Sequence, residues 1–184
     1  MTSRKSLTIV CGNAGSGKTT VGRLLAERRR AAFLDIDTVS ERLVVSGLKS
    51  LKLDADDRDS SVFKSLYRDA IHETLFAIAD ENLDFVPCVI VAPLTQERRD
   101  ATFLQTMESR LRCPVQIILT WCADEIRRKR IAQRKNPRDR SKLENWESYS
   151  AAGSDPHRPD FAHQFLNTSP DLPLVLRECE ELFG

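Results

Sequence analysis

One short segment near the N-terminus constrains this chain more than any other. Residues 12–19 read Gly-Asn-Ala-Gly-Ser-Gly-Lys-Thr and match the pattern G-x-x-x-x-G-K-[ST] without a mismatch. Glycine lets a backbone turn tightly and bring its N–H groups close to phosphate oxygens. The pattern needs a strand before it and a helix after it, and residues 7–11 and 18–29 are suited to both. This glycine-rich loop (residues 12–19) is therefore predicted to bind the phosphates of a nucleotide.

Two side chains at the end of the glycine-rich loop carry further chemistry. Lys18 is expected to reach the oxygens of the β- and γ-phosphates, and the hydroxyl of Thr19 is expected to bind Mg²⁺. The helix that begins near Lys18 would point its positive end at the same phosphates.

Stretches of apolar residues alternate along the chain with stretches of helical pattern. Five runs are predicted to be strands, at residues 7–11, 32–35, 86–92, 115–121 and 165–168. Runs without polar alternation are typical of parallel strands that are covered on both faces. Helices are predicted at about 18–29, 38–46, 60–82, 96–111, 123–135 and 172–183. With 184 residues, one domain spanning 1–184 is expected, with an α/β fold in which a doubly wound, parallel, five-stranded sheet carries helices on both faces.

Composition and charge argue against several classes of protein. The 28 Lys and Arg side chains nearly cancel the 27 Asp and Glu side chains, which argues against a general nucleic-acid coat protein. No apolar run approaches about 18 residues, so no membrane span is predicted, and the first run is too short for a signal peptide. The five cysteines are widely spaced and form no C-x-x-C pair, which disfavours a zinc ribbon or a disulfide framework. A reducing, cytoplasmic location is therefore expected.

The acidic residues of the site must come from the second strand. The third strand continues as Val-Ala-Pro-Leu at 91–94, without the acid that AAA+ and ABC motors carry there. Asp35 and Asp37 occupy alternate positions and are expected to share one side of the sheet at the carboxyl end of the strand. One of them would hold Mg²⁺, and the other would accept a proton from a substrate hydroxyl. Alternatively, Asp37 caps the helix predicted at 38–46.

A cluster of basic residues follows the fourth strand. Arg127, Arg130 and Arg134 share one face of a predicted helix, and Arg138 follows in the next loop, after Pro137. Arginine forks can stabilise the charge of a phosphoryl group during transfer. A solvated basic helix and a nucleic-acid-binding helix are the alternatives. The position downstream of the glycine-rich loop favours the phosphate interpretation.

These segments together resemble the P-loop small-molecule kinases of the nucleoside-monophosphate-kinase-like group. That group includes shikimate, gluconate and adenylate kinases, chloramphenicol phosphotransferase and zeta-toxin-like kinases. The resemblance rests on GNAGSGKT at 12–19, DID at 35–37, VIVAPL at 89–94, RIAQR at 130–134 and FLNTSPDLP at 165–173. It implies that residues 38–84 hold the acceptor and that residues 135–155 form a lid.

The resemblance also implies roles for individual residues. ATP would be bound by Gly12, Asn13, Ala14, Gly15, Ser16, Gly17, Lys18, Thr19 and Thr20, with Arg130 packed on the adenine. Thr19 and Asp35 would hold Mg²⁺. Asp37 would act as the base, and Arg134 would contact the moving phosphate. The catalytic set implied in this way is Lys18, Asp37, Arg134 and Arg138.

The sequence thus predicts an ATP- and Mg²⁺-dependent phosphotransferase that acts on a hydroxyl of a small molecule. One alternative is a polynucleotide 5′-kinase, in which the basic helix would grip a nucleic-acid strand. Another is a regulatory module that binds a nucleotide without transferring phosphate, in which Asp35 and Asp37 would be dispensable. The lid sequence matches none of the metabolic kinases closely, so the acceptor is left unassigned.

Overall fold

A five-stranded parallel sheet forms the centre of the protein. The computed structural model describes residues 5–58, 60–151 and 158–183. The strands are β1 (Leu7–Cys11), β2 (Ala32–Asp35), β3 (Cys88–Val91), β4 (Val115–Trp121) and β5 (Gln164–Asn167). Their order in the sheet is β2-β3-β1-β4-β5, and every pairing is parallel. The predicted doubly wound sheet is confirmed.

Helices connect the strands in the order expected for this sheet. They are α1 (Lys18–Arg29), α2 (Ile36–Ser50), α3 (Ser61–Phe63), α4 (Asp69–Leu83), α5 (Phe103–Leu111), α6 (Asp124–Gln133), α7 (Arg140–Glu144), α8 (Trp146–Ala151) and α9 (Leu172–Phe183). A π-helical turn occupies Lys64–Arg68, and 3₁₀ turns occupy Glu97–Arg99 and Pro137–Asp139. In the part of the chain that the structure describes, no helix is both long and apolar enough to span a bilayer.

Three predicted helices differ from the observed ones. The helix expected at 38–46 begins earlier, at Ile36, and continues to Ser50. The helix expected at 60–82 is divided by the π-helical turn. The helix expected at 96–111 begins only at Phe103, because Asp100 is extended and its carboxylate accepts a hydrogen bond of 2.9 Å from the Thr102 N–H, which favours a local turn.

Two apolar clusters cover the two faces of the sheet. In β1, Leu7 and Ile9 face the cluster that contains α4 and α5, whereas Val10 faces the cluster that contains α1 and α9. This alternation follows from the pleat, which sends successive side chains to opposite faces. Because both faces are covered, the central strands β1 and β3 are apolar at nearly every position. The carboxyl ends of the parallel strands lie together at one edge of the sheet, which we call the open edge.

Candidate active site

The glycine-rich loop joins β1 to α1 at this open edge. Gly12, Gly15 and Gly17 have φ angles of 140°, 79° and 85°, which lie in the region that favours glycine. A Cβ at Gly12 would collide with the backbone oxygen of Thr120 in β4. Glycine is therefore needed at position 12 for close packing on β4. The sequence had suggested a different reason, the close approach of the backbone to phosphate.

The underside of the loop is fastened to the ends of β4 and β5. The Ser16 hydroxyl lies 2.7 Å from the Thr120 hydroxyl, and the Thr168 hydroxyl donates to the Ser16 carbonyl over 2.8 Å. Asn13 is held at both of its oxygens: Lys18 Nζ donates to its carbonyl over 2.8 Å, and Arg98 Nη2 donates to its side-chain oxygen over 3.2 Å. These contacts fix the shape of the loop before any ligand binds.

The loop borders a cavity of about 340 Å³. Its lining residues are Gly15, Gly17, Lys18, Thr19, Thr20, Arg130 and Arg134, all of which belong to the predicted site. A larger and more open groove of about 570 Å³ lies along the second half of α1, where Arg23, Glu27 and Phe33 line it. The smaller cavity is the better candidate for a nucleotide, because backbone amides of the loop and the N-terminus of α1 meet there.

The three arginines predicted on one face of α6 do not share one environment. Arg130 and Arg134 line the cavity. Arg127 is only 1 % exposed and lies beneath the loop, where its Nε donates to the Ala14 carbonyl over 3.2 Å. Its guanidinium also lies 5.7 Å from the ring centroid of Trp146 in α8. Arg127 is thus a support for the loop.

Arg130 bridges the loop and the end of β5. Its Nη2 donates to the Thr168 carbonyl over 2.7 Å, and its Nη1 donates to the Thr168 hydroxyl over 3.1 Å. The predicted contact with adenine would have to be made by the face of the guanidinium, because its edge is engaged in these bonds.

Lys18 lies close to charges of both signs. Burial lowers the pKa of its amino group to about 8, while the nearby Asp37 carboxylate opposes this shift and the Arg134 guanidinium adds to it. Asp37 and Arg134, two further members of the predicted catalytic set, thus lie near enough to Lys18 to influence its charge.

Asp35 and Asp37 reach the site by a route that differs from the prediction. The strand ends at Asp35 and the helix begins at Ile36, so strand alternation cannot align the two acids. Asp35 caps α2, with Oδ1 accepting the Asp37 N–H over 2.9 Å, and the alternative that Asp37 is the cap is wrong. The other oxygen of Asp35 accepts from the Thr19 hydroxyl over 3.1 Å, which brings the predicted metal-binding pair together.

Asp37 is held by a residue predicted to act on phosphate. Both of its oxygens accept from Arg138, over 3.1 and 3.2 Å, and Arg138 also donates to Glu41 over 2.8 Å. Burial favours the neutral acid, but Arg138, Lys18 and Arg134 outweigh it, so the pKa of Asp37 is lowered. Glu41, which sequence reasoning did not include, lies one turn after Asp37 on α2, and that i, i+4 spacing was the available signal.

Arg134 is also paired with an acid that sequence reasoning missed. Its Nε and Nη2 donate to the two oxygens of Asp139, over 2.6 and 2.9 Å, and Asp139 is only 3 % exposed. Asp139 lies in the segment predicted as a lid at 135–155, and Arg134 directly precedes that segment; residues 152–155 of it lie outside the described part of the chain.

The protein groups around Thr19 suit Mg²⁺ only as part of its shell. Within the described ranges, no group of three or more His, Cys, Asp or Glu side chains could hold a metal ion. Thr19 and Asp35 offer a hydroxyl and a carboxylate, and Mg²⁺ commonly takes one or two such oxygens together with waters and substrate phosphates. The donor set therefore fits a metal that arrives with a nucleotide.

Comparison with known proteins supports a kinase fold. A shikimate kinase of Thermobifida fusca is 34 % identical over 73 residues, which are 40 % of this chain and 41 % of that enzyme. Among solved structures, a candidate kinase of Chloroflexus aurantiacus has a TM-score of 0.69 at 16 % identity, covering 99 % of this chain and 97 % of its own. The shikimate kinase of Bacteroides thetaiotaomicron has a TM-score of 0.61 at 14 % identity and 96 % coverage of both chains.

The APS kinase of Mycobacterium tuberculosis, solved with AMPPNP and APS, is similar to the same degree. Its TM-score is 0.59 at 17 % identity, with coverage of 98 % of this chain and 96 % of its own. These matches confirm the predicted resemblance to P-loop small-molecule kinases, and their low identities show the likeness of fold.

One family matches most of the chain, over residues 7–153, and it bears the name "AAA domain". The chain matches this family although residues 91–94 lack the acid that was expected of AAA+ motors. By the extent of this match, the chain belongs to the AAA_33 family of AAA domains.

Proposed function

We propose that this protein is an ATP- and Mg²⁺-dependent phosphotransferase that moves the γ-phosphoryl group to a hydroxyl of a small molecule. The observation that carries the proposal is that Lys18 and Arg134 line one cavity, that the Asp37 carboxylate lies close to Lys18, and that Thr19 is hydrogen-bonded to Asp35 beside them. In the proposed reaction, the cations of this grouping would offset the charge that develops on phosphate, and its carboxylate would accept the proton of the acceptor hydroxyl.

Each residue has a distinct part in the proposed reaction. The backbone amides of the glycine-rich loop and Lys18 would hold the triphosphate, and Arg134 would offset charge on the group in transfer. Thr19 and Asp35 would hold Mg²⁺, which supplies charge neutralisation between the β- and γ-phosphates. The acceptor would bind against the region 38–84, with its hydroxyl directed at Asp37.

Arg138 restrains the proposed base in the present arrangement. A carboxylate that accepts two hydrogen bonds from an arginine is a weak base, and the pKa of Asp37 is lowered accordingly. Asp37 would become a stronger base toward the acceptor hydroxyl when Arg138 gives up at least one of these bonds. The segment 135–155, which contains Arg138, would act as the lid whose movement makes this exchange.

Incubation with γ-labelled ATP, Mg²⁺ and a pooled extract of small metabolites tests the proposal. We expect a new labelled product from the wild type, and from Asp37→Asn we expect retained nucleotide binding with transfer slowed by about 10²–10⁴-fold, the range typical of a lost general base. Asp84→Asn is the matched control, because its side chain is 71 % exposed and pairs with Lys5. Unchanged transfer by Asp37→Asn would remove Asp37 as the base.

The same assay separates the alternatives. An oligonucleotide with a free 5′-hydroxyl as the only labelled acceptor would identify a polynucleotide kinase instead. Nucleotide binding without any labelled product would favour a regulatory module. The inward position of Arg127 leaves α6 with fewer cations for a nucleic-acid strand, which supports the small-molecule acceptor.

A further inference from the structure

Arg134 is held by an ion pair that has two hydrogen bonds to Asp139. The chain turns at Lys135, whose φ is 48°, and returns so that Asp139 meets Arg134 five positions later. Both oxygens of Asp139 are used, one by Nε at 2.6 Å and the other by Nη2 at 2.9 Å. A second cation, Lys142 in α7, lies with its Nζ 3.6 Å from Asp139 Oδ1.

The two partners differ in their surroundings. Asp139 has a side-chain exposure of 4 %, whereas the Arg134 side chain is 43 % exposed and lines the nucleotide cavity. A buried carboxylate without a partner would be costly, so Asp139 keeps its arginine in one orientation. The Nε–Nη2 edge of the guanidinium is engaged in this pair, and Nη1 is the nitrogen left to serve a ligand in the cavity.

We propose that Asp139 is a positioning residue, which fixes Arg134 so that Nη1 meets the terminal phosphate of the bound nucleotide. This inference rests on the proposed function, since it requires a triphosphate in the cavity. An arginine side chain at the end of a helix has many rotamers, and a two-point pair removes this freedom before the phosphate arrives. The alternative is that the pair only closes the turn between α6 and α7.

Binding of AMPPNP and of ADP, each measured by calorimetry with Mg²⁺, distinguishes these roles without knowledge of the acceptor. Asp139→Asn should weaken AMPPNP binding by about tenfold or more, the effect of a lost charged hydrogen bond, and change ADP binding by less than about twofold. Arg134→Ala should show the same selectivity. In the Arg134→Ala background, Asp139→Asn should add nothing, because its effect passes through Arg134. Asp84→Asn is the control and should bind both nucleotides as the wild type does.

Equal weakening of both nucleotides by Asp139→Asn, or a further loss in the double variant, would overturn the inference. If thermal unfolding shows that Asp139→Asn is not folded, Arg134→Lys decides, because lysine keeps the charge and leaves Asp139 intact but cannot form the two-point pair. The same selective loss is expected from Arg134→Lys, and an unchanged AMPPNP affinity would overturn the inference. A wild-type protein that binds neither nucleotide would instead refute the proposed function itself.

Discussion

Lys18 shows how much the surroundings of one side chain can change its chemistry. Its amino group donates to the Asn13 carbonyl within the loop, and burial lowers its pKa to about 8. A lysine in water stays charged well above that value, so the loop holds a cation that is close to losing its proton. Phosphate oxygens would restore the charged form, because an opposite charge nearby favours ionisation.

Nucleotide binding should therefore take up a proton above pH 8. Well below pH 8, Lys18 is charged in the free and bound protein and little uptake arises from it; above pH 8, most of the free protein has lost the proton that the bound form regains. Calorimetry at pH 8.5 in two buffers with different ionisation heats measures the uptake directly. We expect a net uptake approaching one proton and an affinity that falls as the pH rises further. Zero proton exchange at pH 8.5 would contradict the assignment of Lys18.

Asp35 and Asp37 show what residue-level reasoning could and could not predict. Their presence in the site followed from their place after a strand of a parallel sheet. Their orientation did not, because a helix begins at Ile36 and turns Asp35 into its cap. The pairing of Asp37 with Arg138 joins residues 101 positions apart, and such a contact depends on how the later turn packs, which local sequence does not encode.

At the scale of elements, the strands and the ends of α1 and α9 were predictable, whereas the bounds of the helices expected at 38–46, 60–82 and 96–111 were not. Burial on both faces gives the strands an apolar pattern that can be read locally, and each predicted strand lies within two residues of the observed one. The division of the helix at 60–82 could not be predicted in this way. Arg68, at the end of the π-helical turn, lies 2.6 Å from Glu97, and His72 lies 2.8 Å from the same carboxylate. The irregular turn therefore accompanies contacts with a residue that is remote in the sequence.

Gly22 sets how closely α1 approaches the sheet. A Cβ at this position would collide with Val91 Cγ2 and lie 3.2 Å from Phe33 Cε2. Alanine would gain about 1 kcal/mol of helix propensity, but overpacking of this kind costs about 1–3 kcal/mol. We expect Gly22→Ala to lower the free energy of unfolding by up to about 2 kcal/mol, measured by urea denaturation. Glu27→Ala, at an exposed position of the same helix, is the control. A Gly22→Ala variant as stable as this control would show that Val91 and Phe33 can move to accommodate the added methyl group.

At the scale of the whole molecule, the reactivity of the cysteine thiols depends on how far the core is shielded from solvent. The five cysteines are buried thiols outside any disulfide, and burial raises the pKa of Cys11 and of Cys88 to about 11. A thiol that is both inaccessible and protonated reacts slowly. The rate at which these thiols react is therefore set by unfolding that exposes them to solvent.

Labelling with a thiol reagent, followed by mass spectrometry, should detect no modified cysteine in the native protein and five in denaturant. Because a ligand that binds only the native state suppresses unfolding, ATP with Mg²⁺ should slow the labelling further. Rapid modification of any one cysteine under native conditions would show a local opening that the fold does not indicate.

One turn of the chain, between α6 and α7, carries both Arg134 at the donor cavity and Arg138 on the proposed base. In the proposed kinase, this short connection would couple the contact of Arg134 with the nucleotide to the release of Asp37 by Arg138, and Asp37 would then activate the acceptor. While Arg138 donates to both oxygens of Asp37, the proposed base would also be weak toward water, so we expect little hydrolysis of bound nucleotide when no acceptor is present.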